Sequence, residues 1–221
     1  MMQALVIGAS GGIGAAVSAE LDRRGAAVTR LSRRNDGLDV TCEDSVKTVL
    51  GSVQGPFDLI FVATGALEIA GRGPEKSLRE LSATSLDAQF RLNCMGPALV
   101  LAQVVRLLPR DRICRVAVLS ARVGSIGDNG LGGWYSYRAS KAALNQIVHT
   151  AAIELSRTHK KSVCVALHPG TVRTALTARY AAGRPTVSAR DAACNMLTVL
   201  EGLTPSETGL FFDATGARVP W

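Results

Sequence analysis

The stretch that decides the fold is Gly8-Ala9-Ser10-Gly11-Gly12-Ile13-Gly14. It follows an apolar run at residues 4–7 and leads into an amphipathic segment at 13–24. Glycines at 8, 12 and 14 allow a tight turn between a strand and a helix, and they let the backbone approach a pyrophosphate at the helix N-terminus. No Lys-Ser or Lys-Thr follows, which excludes a P-loop. The stretch therefore indicates a dinucleotide site, or else a glycine-rich turn that binds nothing.

The rest of the chain alternates short apolar runs with amphipathic segments. The periodicity predicts helices at residues 13–24, 44–50, 137–156 and 189–200, and one or two long helices across 78–108. It predicts strands at residues 4–7, 27–31, 58–63, 116–120, 163–167 and 210–212. Apolar strands that alternate with helices indicate a parallel sheet covered on both faces. We therefore expect a single α/β domain over residues 1–221, a doubly wound Rossmann-type sheet whose ligands bind at the carboxyl ends of the strands.

Composition excludes several other classes of protein. Of the 221 residues, 47% are hydrophobic and 19% are charged, so the chain is too apolar to be mainly disordered. Charges or turn residues interrupt every apolar stretch before the ~18 residues of a membrane-spanning helix, and the N-terminus does not resemble a signal peptide. The five cysteines lie far apart without a CxxC pair, which argues against a disulfide scaffold and a metal site. We expect a cytoplasmic protein with no membrane partner.

The net charge of +7 raises the question of a polyanionic partner. The basic residues are scattered, aromatic residues make up only 5% of the chain, and the densest cluster is Arg30, Arg33 and Arg34. This distribution favours a solvated surface with one anion site over a nucleic-acid interface. The charge also suits the attraction of a polyanionic small molecule.

A second motif, Tyr137-Arg138-Ala139-Ser140-Lys141, opens the predicted helix at 137–156. Tyr and Lys four residues apart share one face of a helix. A neighbouring ammonium favours the ionised phenol, so it would lower the tyrosine pKa from about 10 toward the range of a useful acid or base. An ordinary pair on a helix surface has the same spacing, so the motif gains its weight from the glycine turn that precedes it.

Together, the glycine turn and the later YxxxK motif resemble the short-chain dehydrogenase/reductase family, and the resemblance covers essentially the whole chain. Further segments match in order. Residues 38–41 (LDVT) resemble the segment that meets the adenine, and Ala63-Thr64-Gly65 stands where the family usually has Asn-Ala-Gly. Asn93 matches the family's helix asparagine, and residues 169–174 (PGTVRT) match the segment beside the nicotinamide. Residues 124–129, 132–137, 211–213 and 216–221 look like the C-factor and sniffer-type carbonyl reductase branch.

The resemblance implies hydride transfer between NADP(H) and a carbonyl or alcohol substrate. Tyr137 would donate the proton, Lys141 would hold the nicotinamide ribose and lower the Tyr137 pKa, and Asn93 would hold a water that relays the proton. The implied cofactor-binding residues are Gly8, Ser10, Gly12, Ile13, Gly14, Ser32, Arg33, Arg34, Asp39, Val40, Ala63, Thr64, Gly65, Asn93, Tyr137, Lys141, Pro169, Gly170, Val172 and Thr174. The resemblance also implies a homodimer or homotetramer.

The segment after the second predicted strand favours NADP(H) over NAD(H). It reads Ser32-Arg33-Arg34, and the first acid after it is Asp36. NAD enzymes of this kind place an acid at the end of that strand for the ribose 2′-hydroxyl, whereas the planar fork of arginine suits phosphate oxygens.

The chain departs from the family at its catalytic serine. The family commonly reads Ser-Ser-x-x-Gly before the tyrosine helix, with the second serine catalytic, and here Ala121 stands in that column. Ser120 is adjacent, and we keep it as a candidate catalytic residue because a shift in register would bring it into place; neighbouring strand residues otherwise point to opposite faces. Ser125 is another candidate donor. Two classes stay open: a working reductase, and a catalytically weak dinucleotide-binding protein with a signalling or regulatory role.

Overall fold

Six strands form one parallel sheet in the computed structural model, which describes residues 1–173, 180 and 185–221. The strands are β1 (Gln3–Ile7), β2 (Ala27–Leu31), β3 (Leu59–Val62), β4 (Cys114–Leu119), β5 (Ser162–His168) and β6 (Phe211–Asp213). Their order across the sheet is β2-β1-β3-β4-β5-β6, and every neighbouring pair is parallel. The chain therefore reverses direction across the sheet beside β1, the place where such sheets bind ligands.

The described residues also form seven α-helices. They are α1 (Gly12–Arg23), α2 (Arg33–Asp36), α3 (Glu43–Gly51), α4 (Ala83–Phe90), α5 (Gly96–Val104), α6 (Tyr135–Thr158) and α7 (Ala189–Gly202). Side chains of α3, α5 and α6 pack on one face of the sheet, and side chains of α1 and α7 pack on the other. Residues along β4 alternate between these two cores, since Val116 and Val118 face α6 whereas Ala117 and Leu119 face away from it. The predicted doubly wound α/β fold is confirmed.

The region predicted as one or two long helices over 78–108 is more broken than expected. Leu78–Glu80 forms a single 3₁₀ turn, and Leu81 is extended. Helix α4 begins only at Ala83 because the Ser82 side chain accepts a hydrogen bond from the Ser85 N–H and caps it. A π-helical turn, Arg91–Met95, separates α4 from α5, and Val105–Leu107 ends the region as a 3₁₀ turn.

The remaining predicted helices and strands have ends within about two residues of those observed, which is the usual uncertainty of such boundaries. The single turn α2 was not predicted. Among the described residues, none of the helices combines the length and the apolar character needed to cross a membrane.

Candidate active site

The glycine turn joins β1 to α1 with almost no room for side chains. Gly8 has a φ of +86°, and a Cβ added to it would lie 2.9 Å from the Ala63 carbonyl carbon. A Cβ on Gly14 would lie 2.2 Å from the Gly8 oxygen. Helix α1 starts after Gly11, which provides no side-chain cap, and its first turn contains no acid. An anion at this N-terminus would therefore meet backbone N–H groups and no competing carboxylate.

The end of β2 carries a buried serine whose donors are already in use. The Ser32 N–H donates to Asp36 Oδ2 over 2.8 Å, and the Ser32 hydroxyl lies 3.3 Å from the same oxygen. The Ser32 Oγ in turn accepts a hydrogen bond of 3.1 Å from the Asn35 N–H. Arg33 and Arg34 are exposed, and no salt bridge involves them within the described part of the chain. The single helical turn of α2 thus brings the Asp36 carboxylate, four residues later in the chain, back to Ser32.

The segment predicted to meet the adenine is a tight turn. Asp39 Oδ1 accepts hydrogen bonds from the Thr41 hydroxyl at 2.7 Å and from the Thr41 N–H at 2.9 Å, and these bonds lower the pKa of Asp39. Val40 is buried against the start of α5, because a Cβ on Gly96 would lie 2.9 Å from Val40 Cγ2. The turn is therefore packed against the start of α5.

Residues 63–65 bring β3 to the same edge. The Thr64 hydroxyl is buried and has no hydrogen-bond partner among the described residues. A Cβ on Gly65 would lie 2.8 Å from Asn93 Oδ1 and 3.3 Å from Lys141 Nζ. The glycine cradle, the uncapped start of α1 and the unpaired Thr64 hydroxyl together fit a dinucleotide laid across the carboxyl edge of the sheet.

Asn93 is fully buried in the π-helical turn and holds the β3–α4 loop with both ends of its amide. Its Nδ2 donates to the Ala66 carbonyl at 2.8 Å, and its Oδ1 accepts from the Ala66 N–H at 2.9 Å. Nδ2 also donates to Gln89 Oε1 at 2.5 Å. Single π-helical turns of this kind are frequent at functional sites. The arrangement explains why this asparagine is placed beside Gly65 and Lys141.

Tyr137 and Lys141 lie one turn apart on α6, at the end of β4. Lys141 is buried and its Nζ donates to the Leu119 carbonyl over 3.0 Å. Burial lowers the pKa of Lys141 to about 8, and burial raises the pKa of Tyr137 to about 12. The structure therefore does not bear out the expected lowering of the Tyr137 pKa by Lys141. Desolvation disfavours the phenolate, and the lysine ammonium is bonded to Leu119.

Ser120 faces α6 and is engaged there. Its Oγ donates to Asn145 Oδ1 at 2.5 Å, in a buried pair one turn beyond Lys141. Ala121 is still extended, with φ −144° and ψ 142°, so strand alternation places its methyl group on the side opposite Ser120. The Ser125 hydroxyl is also buried and accepts from the Asp128 N–H at 3.0 Å. The assignment of Ala121 to the position of the family's serine stays a prediction.

An aromatic wall stands beside Tyr137. The Trp134 ring makes edge contacts with Tyr137 and with Tyr180, at centroid distances of 6.3 Å and 5.6 Å. Trp134 has a φ of +55°, and its backbone N–H donates to the Glu75 backbone carbonyl at 2.5 Å. The buried Glu75 carboxylate accepts from the Ser136 hydroxyl and from the Ser136 N–H at the start of α6. Sequence reasoning missed Glu75, because no local pattern links it to a helix some sixty residues later.

The Pro169-Gly170 segment follows β5 at the same edge. Gly170 has a φ of +80°, and Val172 is buried and forms a bridge with Val187. Thr174, predicted to bind the cofactor, lies outside the described residues. No group of three or more His, Cys, Asp or Glu residues in the described ranges is arranged to hold a metal ion.

Known proteins match this chain over most of its length. The sequence profile of the short chain dehydrogenases matches residues 2–185. The chain belongs to the short-chain dehydrogenase family. The resemblance predicted from the glycine turn and the YxxxK motif is therefore confirmed.

Two relatives and one solved structure place it within that family. C-signal from Myxococcus xanthus is 35% identical over 167 residues, which cover 76% of this chain and 94% of that protein. This similarity supports the C-factor branch predicted from residues 124–129 and 132–137. The 1-hydroxy-2-glutathionyl-2-methyl-3-butene dehydrogenase of Rhodococcus sp. (strain AD45) is 30% identical and aligns over the full length of both proteins. A short-chain dehydrogenase/reductase from Burkholderia multivorans, solved with bound NADP, superposes with a TM-score of 0.81 at 25% identity, over 100% of this chain and 99% of that one.

Proposed function

We propose that this short-chain dehydrogenase transfers hydride between NADP(H) and a carbonyl or alcohol substrate. The observation that carries the proposal is the meeting of Asn93, Lys141 and Gly65 beside the glycine turn, with Tyr137 one helical turn from Lys141. A phenol, an ammonium and a glycine cradle at one sheet edge are the groups that proton transfer next to a dinucleotide requires.

The cofactor, when bound, would supply the hydride. The start of α1, with Gly12 and Ile13, would hold the pyrophosphate through backbone N–H groups. Asp39 and Val40 would border the adenine, and Arg33 with Arg34 would bind a ribose 2′-phosphate through their guanidinium groups. The NADP bound to the Burkholderia multivorans structure supports this choice of cofactor.

Tyr137 is the proposed proton donor. With its pKa raised to about 12 by burial, it keeps its proton at neutral pH, which suits the reduction of a carbonyl. Lys141, with a pKa of about 8, still carries its charge at neutral pH and would turn from the Leu119 carbonyl toward ribose hydroxyls. In the reverse reaction a lysine cation near the phenol would ease its ionisation.

The substrate would lie beside Tyr137, with the Trp134 ring as one border of its site. The name of the Rhodococcus relative adds a glutathione-substituted alcohol to the simple carbonyl compounds worth testing. The basic net charge of +7 suits an anionic substrate of that kind.

The experiment measures NADPH oxidation on a panel of ketones, aldehydes and quinones, and NADP⁺ reduction with glutathionyl alcohols. Tyr137→Phe should lower kcat by roughly 100-fold or more and leave the Kd for NADPH nearly unchanged, since only the proton donor is lost. The matched control is Tyr135→Phe, which removes a phenol two residues away and should keep native turnover. Native turnover in Tyr137→Phe would refute the proposed chemistry.

Ala121 favours a second candidate: a dinucleotide-binding protein of the same fold with little turnover and a signalling or regulatory role. An alkoxide that develops beside an alanine lacks a hydrogen-bond donor, and such donors are worth roughly 100-fold in rate. The similarity to C-signal is compatible with this candidate. Tight NADPH binding without turnover on any member of the panel would support it over the reductase.

We also propose that the chain is one folding unit, that it is cytoplasmic and that it forms a homodimer or homotetramer. All five cysteines are free, which suits a reducing compartment. Met95, next to α5, and Ile153 on α6 are both 47% exposed and offer apolar area for self-association. Analytical ultracentrifugation, together with a single cooperative unfolding transition, tests the two structural statements.

A further inference from the structure

A buried carboxylate from a separate segment caps the helix that carries Tyr137. Trp134 stands at the N-cap of α6 and its side chain makes no capping hydrogen bond. The Glu75 carboxylate takes that place, because it accepts from the Ser136 N–H at 3.2 Å and from the Ser136 hydroxyl. Glu75 is only 5% exposed, and no salt bridge reaches it within the described ranges. The positive end of the helix dipole and the two Ser136 donors therefore balance its charge.

The turn in front of α6 also depends on contacts from outside it. Gly132, Gly133 and Trp134 have φ values of +65°, +66° and +55°, so three successive residues are left-handed. A tryptophan is strained in this conformation and needs surrounding contacts to stay there. The Glu75 backbone carbonyl accepts from the Trp134 N–H at 2.5 Å. The Arg138 guanidinium donates to the carbonyls of Gly132 and Gly133 at 3.1 Å and 2.9 Å.

We propose that Glu75 is a positioning residue for the reaction: it fixes the turn at Trp134 and the first turn of α6, and so sets the place of the Tyr137 hydroxyl. This inference rests on the proposed function, because it takes Tyr137 as the proton donor. Tyr137 directly follows Ser136, and its ring lies 6.3 Å from the Trp134 ring between centroids. Glu75 therefore holds both the residue before Tyr137 and the ring beside it.

The loop that carries Glu75 is also tied to the other side of the site. Near its start, the Ala66 N–H and carbonyl bond to the Asn93 amide at 2.9 Å and 2.8 Å. The neighbouring Leu67 carbonyl accepts from Gln89 Nε2 at 2.9 Å. One loop thus contacts Asn93 at one end and the start of α6 at the other. Glu75 links the position of the proposed proton donor to that of Asn93.

Loss of this cap should disturb only the first turn of α6. Further along the helix, Lys141 bonds to the Leu119 carbonyl and Asn145 bonds to the Ser120 hydroxyl, and neither bond involves Glu75. A displacement of about 1 Å in a reacting group can cost about 100-fold in rate. The rate should therefore fall while cofactor binding stays native.

Steady-state oxidation of NADPH by three variants separates the reach of the side chain from its charge. Glu75→Ala removes the carboxylate. Glu75→Gln keeps the length, since its oxygen can accept from the Ser136 N–H and its amide can donate to the Ser136 hydroxyl. Glu75→Asp keeps the charge but is one methylene shorter. The matched control, Glu20→Ala, removes another buried carboxylate, which accepts from Arg23 and Arg24 on α1.

Glu75→Ala and Glu75→Asp should lower kcat roughly 10-fold or more and leave the Kd for NADPH within about twofold, whereas Glu75→Gln should keep kcat within about threefold. Glu20→Ala should melt at a lower temperature than the wild type and keep its kcat. If Glu75→Ala does not fold, the contrast between Glu75→Asp and Glu75→Gln decides the matter. Native kcat in Glu75→Asp, or an equal loss of kcat in Glu20→Ala, would overturn this inference.

The indole N–H resonance of Trp134 reports the turn without any substrate. The chain has two tryptophans, so Trp221→Phe assigns both resonances. The Trp134 resonance should shift or broaden in Glu75→Asp and stay in place in Glu75→Gln and Glu20→Ala. A lowered kcat with an unmoved Trp134 resonance would overturn this inference alone. If the wild type oxidised NADPH with no substrate, or if Tyr137→Phe kept native turnover, the proposed function would fail and this inference with it.

Discussion

Lys141 offers a test of the buried site that does not depend on any ligand. Burial lowers the pKa of Lys141 from 10.5 to about 8, which means that the folded chain disfavours the charged lysine. Since one pKa unit corresponds to about 1.4 kcal/mol, the burial of this cation costs roughly 3 kcal/mol at neutral pH. Lys141→Met fills the same space without the charge. We expect the variant to have a higher free energy of unfolding than the wild type near pH 7. The gain is reduced by the contribution of the hydrogen bond to the Leu119 carbonyl, which the variant loses.

The dependence on pH separates the charge from that bond. Between pH 8 and 10.5 the unfolded lysine binds more protons than the folded one, so the wild type gains stability as the pH rises through this window. The cost of burying the cation should fall from roughly 3 kcal/mol at pH 7 to about 2 at pH 9 and about 1 at pH 10. The advantage of Lys141→Met over the wild type should shrink by the same amounts, whereas the contribution of the lost hydrogen bond stays constant.

Urea unfolding of both proteins at pH 7, 8, 9 and 10 measures this difference. Cysteines and other groups that titrate in the unfolded chain affect both proteins alike and largely cancel. Lys47→Met is the matched control. Its ammonium is exposed and paired with Glu43, which raises the pKa of Lys47, so its contribution should stay flat between pH 7 and 10. A constant difference between Lys141→Met and the wild type would refute the claim that Lys141 is buried at an energetic cost.

Three further predictions concern the 2′-phosphate of the cofactor, Ala121 at the position of the family's serine, and the buried Glu75. Arg33→Ala should weaken NADPH binding by about 10-fold and NADH binding by less than about twofold, and equal losses in direct titrations would argue against a 2′-phosphate site. Ala121→Ser should raise kcat by about 10-fold, because a donor regained at the alkoxide acts mainly in the transition state. Ser120→Ala should instead lower the free energy of unfolding in urea by about 1–2 kcal/mol, because it leaves Asn145 unpaired. If Ser120→Ala lost kcat sharply and Ala121→Ser gained none, Ser120 would be the donor. Glu75→Ala should destabilise the chain by about 2 kcal/mol in the same assay, with Glu75→Gln nearer the wild type because its amide oxygen still accepts from the start of α6.

The parts of the fold that depend on local pattern were predictable. Buried parallel strands are continuous apolar runs, so all six were located from sequence, and the glycine turn and α6 followed from spacing alone. The same reasoning failed over 78–108. There helix α4 begins at a serine cap, and Asn93 in the π-helical turn bonds to Ala66, which lies 27 residues earlier. Periodicity carries no signal for a hydrogen bond of that separation.

The candidate site also has features that the sequence predicted and features that it did not. The motifs identified Tyr137 and Lys141, because helical spacing places them on one face. They gave the wrong direction for the Tyr137 pKa, since desolvation is a property of the packed environment and not of the spacing. The hydrogen bond between Ser32 and Asp36 was also missed. The sequence contained a signal for it, because one helical turn brings residues that are four apart close together.

The register between β4 and α6 bears most directly on whether this protein turns over a substrate. Lys141 bonds to the Leu119 carbonyl and Asn145 bonds to the Ser120 hydroxyl, so two successive turns of α6 fix two successive residues of the strand end. Rotating Ser120 toward a substrate would break the second of these bonds and leave Asn145 with both ends of its amide buried and unpaired, since its Nδ2 already has no partner among the described residues. The helix that carries the proposed proton donor therefore holds the Ser120 hydroxyl through Asn145. We therefore expect turnover to rely on Tyr137 with a donor other than Ser120, and we expect the methyl group of Ala121 to limit the rate because it donates no hydrogen bond to a developing alkoxide.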